Sequence, residues 1–144
     1  MKRLALFLIT ACLSVAAMAA NVIKAERKEV FGDVTVHYNT FNSTFLTPDI
    51  AKAAELVRSK NQGVINVSVI KDGKPLAAEV SGTIKDLTSK TDPLTFRQIN
   101  EQGAIYYIAQ YPVNQQETRT FEIKVKTGDK VNTLNFNQEL FPGE

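Results

Sequence analysis

The sequence predicts an all-β protein, an immunoglobulin-like antiparallel β-sandwich with one short helix at about Pro48 to Arg58. Three observations carry this. Apolar and polar residues alternate with a period of two over much of the chain, as in Phe121, Ile123 and Val125 against Glu122, Lys124 and Lys126. Turn residues such as Gly32-Asp33, Asp72-Gly73, Gln102-Gly103 and Gly128-Asp129 punctuate these runs into about eight short strands. Helical spacing appears once, in Ile50, Ala53, Ala54 and Val57. The cysteine pair and core tryptophan of antibody domains are absent, so the likeness is architectural and carries no function with it.

Residues 1–19 read as a signal peptide, leaving residues 20–144 as a single domain. Met1-Lys2-Arg3 is a basic start, Leu4 to Val15 is largely apolar, and Ala17-Met18-Ala19 offers small residues for cleavage after Ala19. A periplasmic location is expected. Ile9-Thr10-Ala11-Cys12 also fits a lipoprotein box, but lipidation at Cys12 would shorten the apolar region to Leu4–Leu8, where about 7–15 residues are usual. A lipid anchor at Cys12 is therefore not expected, and no later apolar run is long enough to span a membrane. Without Lys2 and Arg3 the 17 basic residues become 15 and equal the 15 acidic ones, so no basic excess favours nucleic acid. Cys12 is the only cysteine, which excludes thiol chemistry and disulfides from residues 20–144.

In chain order, Glu29-Val30-Phe31 and Val34 to Asn39 are strands around the Gly32-Asp33 turn. Val34, Val36 and Tyr38 share one face, and Thr35, His37 and Asn39 the other. Phe41 breaks that alternation, so a bulge or bend is expected near Thr40, with Phe45 and Leu46 re-entering the core. Thr47-Pro48-Asp49 supplies an N-cap, a proline at the first helical position and an acid in the first turn. Val64 to Ile70 is a strand, and Lys71 to Lys74 a hairpin turn. Leu76 to Leu87 is expected as one strand with a bulge or bend at Gly82, and Thr88 to Pro93 as a polar loop. Leu94, Phe96 and Ile99 suggest a further strand, and Ala104 to Tyr111, apolar on both faces, a central one. The strands Phe121 to Lys126 and Val131 to Asn137 close the fold.

Chemistry is sparse. His37 is the only histidine. A triad of His37 with Ser43 or Ser68 and Asp33 or Asp49 can be written, but no Gly-x-Ser-x-Gly elbow supports it. No metal-ligand spacing occurs, and no cofactor or metal is expected. Tyr106, Tyr107 and Tyr111 read as core aromatics rather than a stacking platform. The candidate binding residues are His37, Tyr38, Asn39, Asn42 and Ser43, where a strand turns toward the helix. Asn and Ser at such a corner commonly bond backbone groups, and that reading is preferred over a ligand site.

His37-Tyr38-Asn39, then Asn42-Ser43-Thr44-Phe45-Leu46 with Pro48, Ile50 and Ala51, then Arg58-Ser59-Lys60 and Asn66-Val67-Ser68-Val69, resemble the uncharacterised DUF4426 family of small exported bacterial proteins. The resemblance covers nearly the whole domain. It implies a periplasmic β-sandwich and supplies no catalytic residues. The expected function is a non-enzymatic module binding an unknown protein or envelope partner through a strand edge or the His37–Thr47 corner. The alternative is a small hydrolase or carbohydrate-binding protein using His37 and neighbouring Asn, Ser and Tyr.

Overall fold

A computed structural model describes residues 27–143. Signal-peptide cleavage and Cys12 lie outside the described residues. In chain order the elements are β1 (Arg27–Phe31), β2 (Val34–Asn42), a 3-10 turn (Ser43–Phe45), α1 (Pro48–Ala53), β3 (Gln62–Lys71), β4 (Lys74–Pro75), β5 (Glu79–Lys85), β6 (Thr91–Leu94), β7 (Arg97–Glu101), β8 (Ala104–Pro112), β9 (Glu117–Thr127) and β10 (Lys130–Leu140). They form an all-β sandwich of two antiparallel sheets. One has the order β1-β2-β3-β8-β7, with β4 continuing the β8 side of β3; the other has the order β10-β9-β5-β6.

Turn chemistry sets the hairpins. Asp72-Gly73 and Gln102-Gly103 all have positive φ, the conformation that matches a two-residue loop to the twist of its strands. The alternating residues then meet between the sheets. Val36, Ile65 and Val67 from one sheet pack with Phe121, Ile123 and Val125 from the other, all fully buried. Glu122, Lys124 and Lys126 face away as the alternation requires. Tyr107 and Tyr111 are buried in this core, and the Tyr107 hydroxyl accepts from the Ala78 N–H at 2.8 Å.

A second, smaller cluster lies on the outer face of the first sheet. Leu46, Ala51 and Ala54 cover Val64, Ile99 and Ile108, with Phe41 and Tyr106 partly buried against them. This cluster explains why the alternation seemed to fail at Phe41. The β2–β3 register runs unbroken from Val34 to Asn42, with no bulge; Thr40 faces the inner core and Phe41 the covered outer face. Phe45 does not re-enter the core and is 45% exposed.

The helix is shorter than expected. Thr47 caps it, its Oγ1 accepting from the Ile50 N–H at 3.3 Å. It then stops in a Schellman motif. The Leu56 N–H donates to the Ala51 carbonyl at 2.8 Å, and the Glu55 N–H to Lys52 at 3.2 Å. Glu55 takes the left-handed position usually held by glycine, with φ 56°. Val57 consequently leaves the apolar stripe and is 62% exposed.

Three strand assignments also change. Leu76 to Leu87 is not one strand, because the chain crosses between sheets at Leu76–Ala78. Gly82 is no bulge: its pairing with Ile123 is in register, and a Cβ there would lie 2.6 Å from the Glu122 carbonyl oxygen. Thr91–Leu94 is a strand of the second sheet, and Leu94 and Ile99 lie on different strands of different sheets.

Candidate functional site

Leaving the second strand, the chain must satisfy the backbone groups freed by the turn. Asn42 caps the 3-10 turn: its Oδ1 accepts from the Thr44 N–H at 3.0 Å and hydroxyl at 2.8 Å, while its Nδ2 donates to the Lys60 carbonyl at 3.0 Å. Ser43 is fully buried. Its Oγ donates to the Ser59 carbonyl at 2.7 Å and accepts from the Ser59 N–H at 2.8 Å. Asn61 and Val113 exchange backbone and side-chain bonds next door, and the Gly143 N–H reaches the Lys60 carbonyl at 2.6 Å. Residues 59–61 are thus stitched to the corner, to the end of β8 and to the C-terminal tail.

The five expected binding residues do not converge. His37 and Asn39 lie on the outer face of the first sheet, opposite Ser68 and Asn66 respectively. The Oδ1 atoms of Asn39 and Asn66 are buried without a hydrogen-bond partner among the described residues. Tyr38 points the other way, into the core, its ring 4.7 Å from Phe136 and beneath the Arg27 guanidinium. Asn42 and Ser43 are committed to backbone. No group of three or more His, Cys, Asp or Glu able to hold a metal ion occurs among the described residues.

The space beside the corner is a groove of about 630 Å³ between the end of β2 and the end of β10. Thr40, Phe41 and Asn42 form one wall, Gly63, Tyr111 and Val113 line the middle, and Gln138 to Gly143 form the other wall. Phe45 and Phe141 also line it and are 45% and 52% exposed. Of the described residues lining it, Glu139 alone is charged. Gly63 makes room for the tyrosine: a Cβ there would lie 2.3 Å from the Tyr111 ring. Burial pushes the Tyr111 phenol well above its ordinary value, opposed in part by Arg119 and by a hydrogen bond with Thr40, so it stays protonated. Arg119 is held by Glu117 and donates to the Pro112 carbonyl at 2.9 Å.

Sequence reasoning found Asn42 and missed Tyr111, Gln138 and Phe141. One signal was available. Gln138 continues the inward series Leu134 and Phe136, so it is a polar residue on an apolar face. It is 5% exposed, its Oε1 accepting from Arg27 at 2.9 Å and its Nε2 donating to the Glu139 carbonyl at 3.0 Å.

No curated protein matches this chain. A DUF4426 family protein from Pseudomonas aeruginosa PAO1 is similar in crystal structure at 54% identity, with a TM-score of 0.79, covering 83% of this chain and 97% of that one. A copper-bound variant of FetP from uropathogenic Escherichia coli strain F11 is similar at 10% identity, with a TM-score of 0.62, over 82% of this chain and 96% of that one. As-isolated FetP from the same strain is similar at 9% identity, with a TM-score of 0.58, over 83% of this chain and 96% of that one. At those identities the FetP likeness shows a shared fold alone. The model of the domain of unknown function DUF4426 matches residues 28–143. The chain belongs to the DUF4426 family.

Proposed function

We propose that this protein is an exported, periplasmic, non-enzymatic module that holds a protein or envelope partner in the groove between the Asn42–Phe45 corner and the end of β10. The observation that carries this reading is the groove, with an apolar floor, one charged lining residue and exposed Phe45 and Phe141. Aromatic side chains left half in water beside a formed cavity gain most when a partner covers them. Export is supported by the Lys2-Arg3 start, the apolar run and Ala17-Met18-Ala19. Among the described residues no helix is long and apolar enough to cross a membrane.

The hydrolase alternative that pairs His37 with Ser43 fares worse. The two are six positions apart along extended chain, about 20 Å at ~3.3 Å per residue. The Ser43 hydroxyl is also engaged in both directions by Ser59.

Photo-crosslinking in the source bacterium tests the proposal. A photoreactive residue at Phe45 or Phe141 should give one adduct of discrete mass in the periplasmic fraction, and one at Lys124, on the outer face of the second sheet, should give none. No adduct at either groove position, or equal adducts at Lys124, refutes the groove. N-terminal sequencing of the same material should begin at Ala20; a lipid-modified Cys12 refutes the soluble form.

A further inference from the structure

Among the described residues, the strands that end the two sheet paths, β1, β7, β10 and β6, are not protected alike. β1 has five residues and carries Arg27, Lys28 and Glu29. β6 has four, including Asp92 and Pro93. β7 has five, with Arg97 and Glu101 at its ends. Short length, charge and proline are the usual means of discouraging an edge from pairing. β10 has none of them: eleven residues, no proline, and charges only at Lys130 and Glu139 near its ends.

The hairpin fixes which β10 groups are open. Lys130 pairs with Thr127 across the two-residue loop Gly128-Asp129. In such a hairpin that pair exchanges both backbone bonds, and every second pair after it does the same. The backbone groups of 130, 132, 134, 136, 138 and 140 are therefore turned to β9. Those of Val131, Thr133, Asn135, Asn137 and Glu139 are turned to the edge that no strand among the described residues pairs, and their side chains are all exposed.

We propose that this edge pairs with the same edge of a second copy of the chain, antiparallel, across a two-fold axis at Asn135. This register uses all five open residues. It sets Val131 opposite Glu139 of the second copy, Thr133 opposite Asn137, and Asn135 opposite Asn135. No like charges face each other, and short polar side chains meet in the middle, where cross-strand Asn and Thr can bond one another. Five pairs of this kind exchange about ten backbone hydrogen bonds and join two four-stranded sheets into one of eight. A shift of the axis by two residues leaves some open residues unpaired. The proposal concerns a surface separate from the groove and stands without it.

Sedimentation over a concentration series tests it, using the full-length chain in the form the cell processes it to. The expected result is twice the single-chain mass, falling to the single-chain mass on dilution. Asn135→Pro removes an N–H that no strand among the described residues takes, so the fold should persist, read by circular dichroism, while dissociation becomes at least about tenfold easier. Asn135→Lys sets two like charges across the axis and decides the matter should the proline variant fail to fold. Val131→Glu should weaken the dimer by opposing Glu139, and Val131→Lys should not. A single-chain mass at every concentration overturns the proposal, including the case in which the chain's own N-terminal segment covers β10. A dimer unchanged by both Asn135 variants overturns it equally, and Val131→Lys weakening as much as Val131→Glu overturns the register.

Discussion

Replacing Ser43 by alanine removes one oxygen that serves two backbone groups. In the folded chain its Oγ donates to the Ser59 carbonyl and accepts from the Ser59 N–H, at a fully buried position. Alanine fills nearly the same space, so the loss is almost entirely of hydrogen bonding. A buried group left unpaired costs about 1–3 kcal/mol, against about 1 kcal/mol for a typical bond exchanged with water. With two groups freed at a half-buried turn, Ser43→Ala should cost roughly 2–3 kcal/mol. For a domain of this size each kcal/mol lowers the melting temperature by about 3–6 °C, so a fall of roughly 10 °C is expected by calorimetry. Asn42→Ala should cost less, about 1 kcal/mol, because its partners are closer to water and its role is that of a cap. His37→Gln should cost less again, since His37 lies on the outer face of β2. A Ser43→Ala protein within about 0.5 kcal/mol of the parent refutes the structural reading of this corner. So does His37→Gln proving the more destabilising of the two.

Three further outcomes follow from the same geometry. Gly63→Ala places a Cβ against the Tyr111 ring and should destabilise by about 1–3 kcal/mol or more, read by chemical denaturation, with much of the loss recovered when Tyr111 is also made smaller. Ile123→Ala empties a fully buried site between the sheets and should cost about 2–5 kcal/mol in the same assay; a change under about 0.5 kcal/mol would mean Ile123 is not between the sheets. The raised Tyr111 phenol gives the folded chain more bound protons than the unfolded chain once pH exceeds about 10. Its contribution is therefore complete below that pH and lost above it, and Tyr111→Phe should flatten the alkaline fall in a pH series of melts.

Much of the sandwich was legible because a strand's side chains have a fixed period of two. Phe121, Ile123 and Val125 could be assigned inward from sequence alone, and two-residue turns carry their backbone requirement in their residue types. The same locality explains the caps: Thr47 accepts from the Ile50 N–H and Asn42 from the Thr44 N–H, whereas the Ser43 bonds to Ser59 span 16 residues and belong to the tertiary structure. The failures share a different cause. Phe41 seemed to break the pattern because the opposite face is covered by residues 46–54, a fact that belongs to packing and not to the strand. The end of α1 was hidden because Glu55, not glycine, takes the left-handed position, held there by bonds from Glu55 and Leu56 back to Lys52 and Ala51 and beside a salt bridge to Arg97. The division of residues 76–99 between two sheets was hidden too, since alternation reports the inward face and not which sheet supplies it.

The sequence by itself therefore determined the all-β class, the places of the two-residue turns and the Thr47 cap of the helix, all effects of neighbours along the chain. Tertiary structure decided which residues share the groove. Thr40, Gly63, Tyr111 and Gln138 come from four strands and meet there only because β2, β3 and β8 end beside the last residues of β10. The physical reason is range: backbone periodicity and capping are fixed within a few residues, whereas a groove is made where distant strands happen to stop.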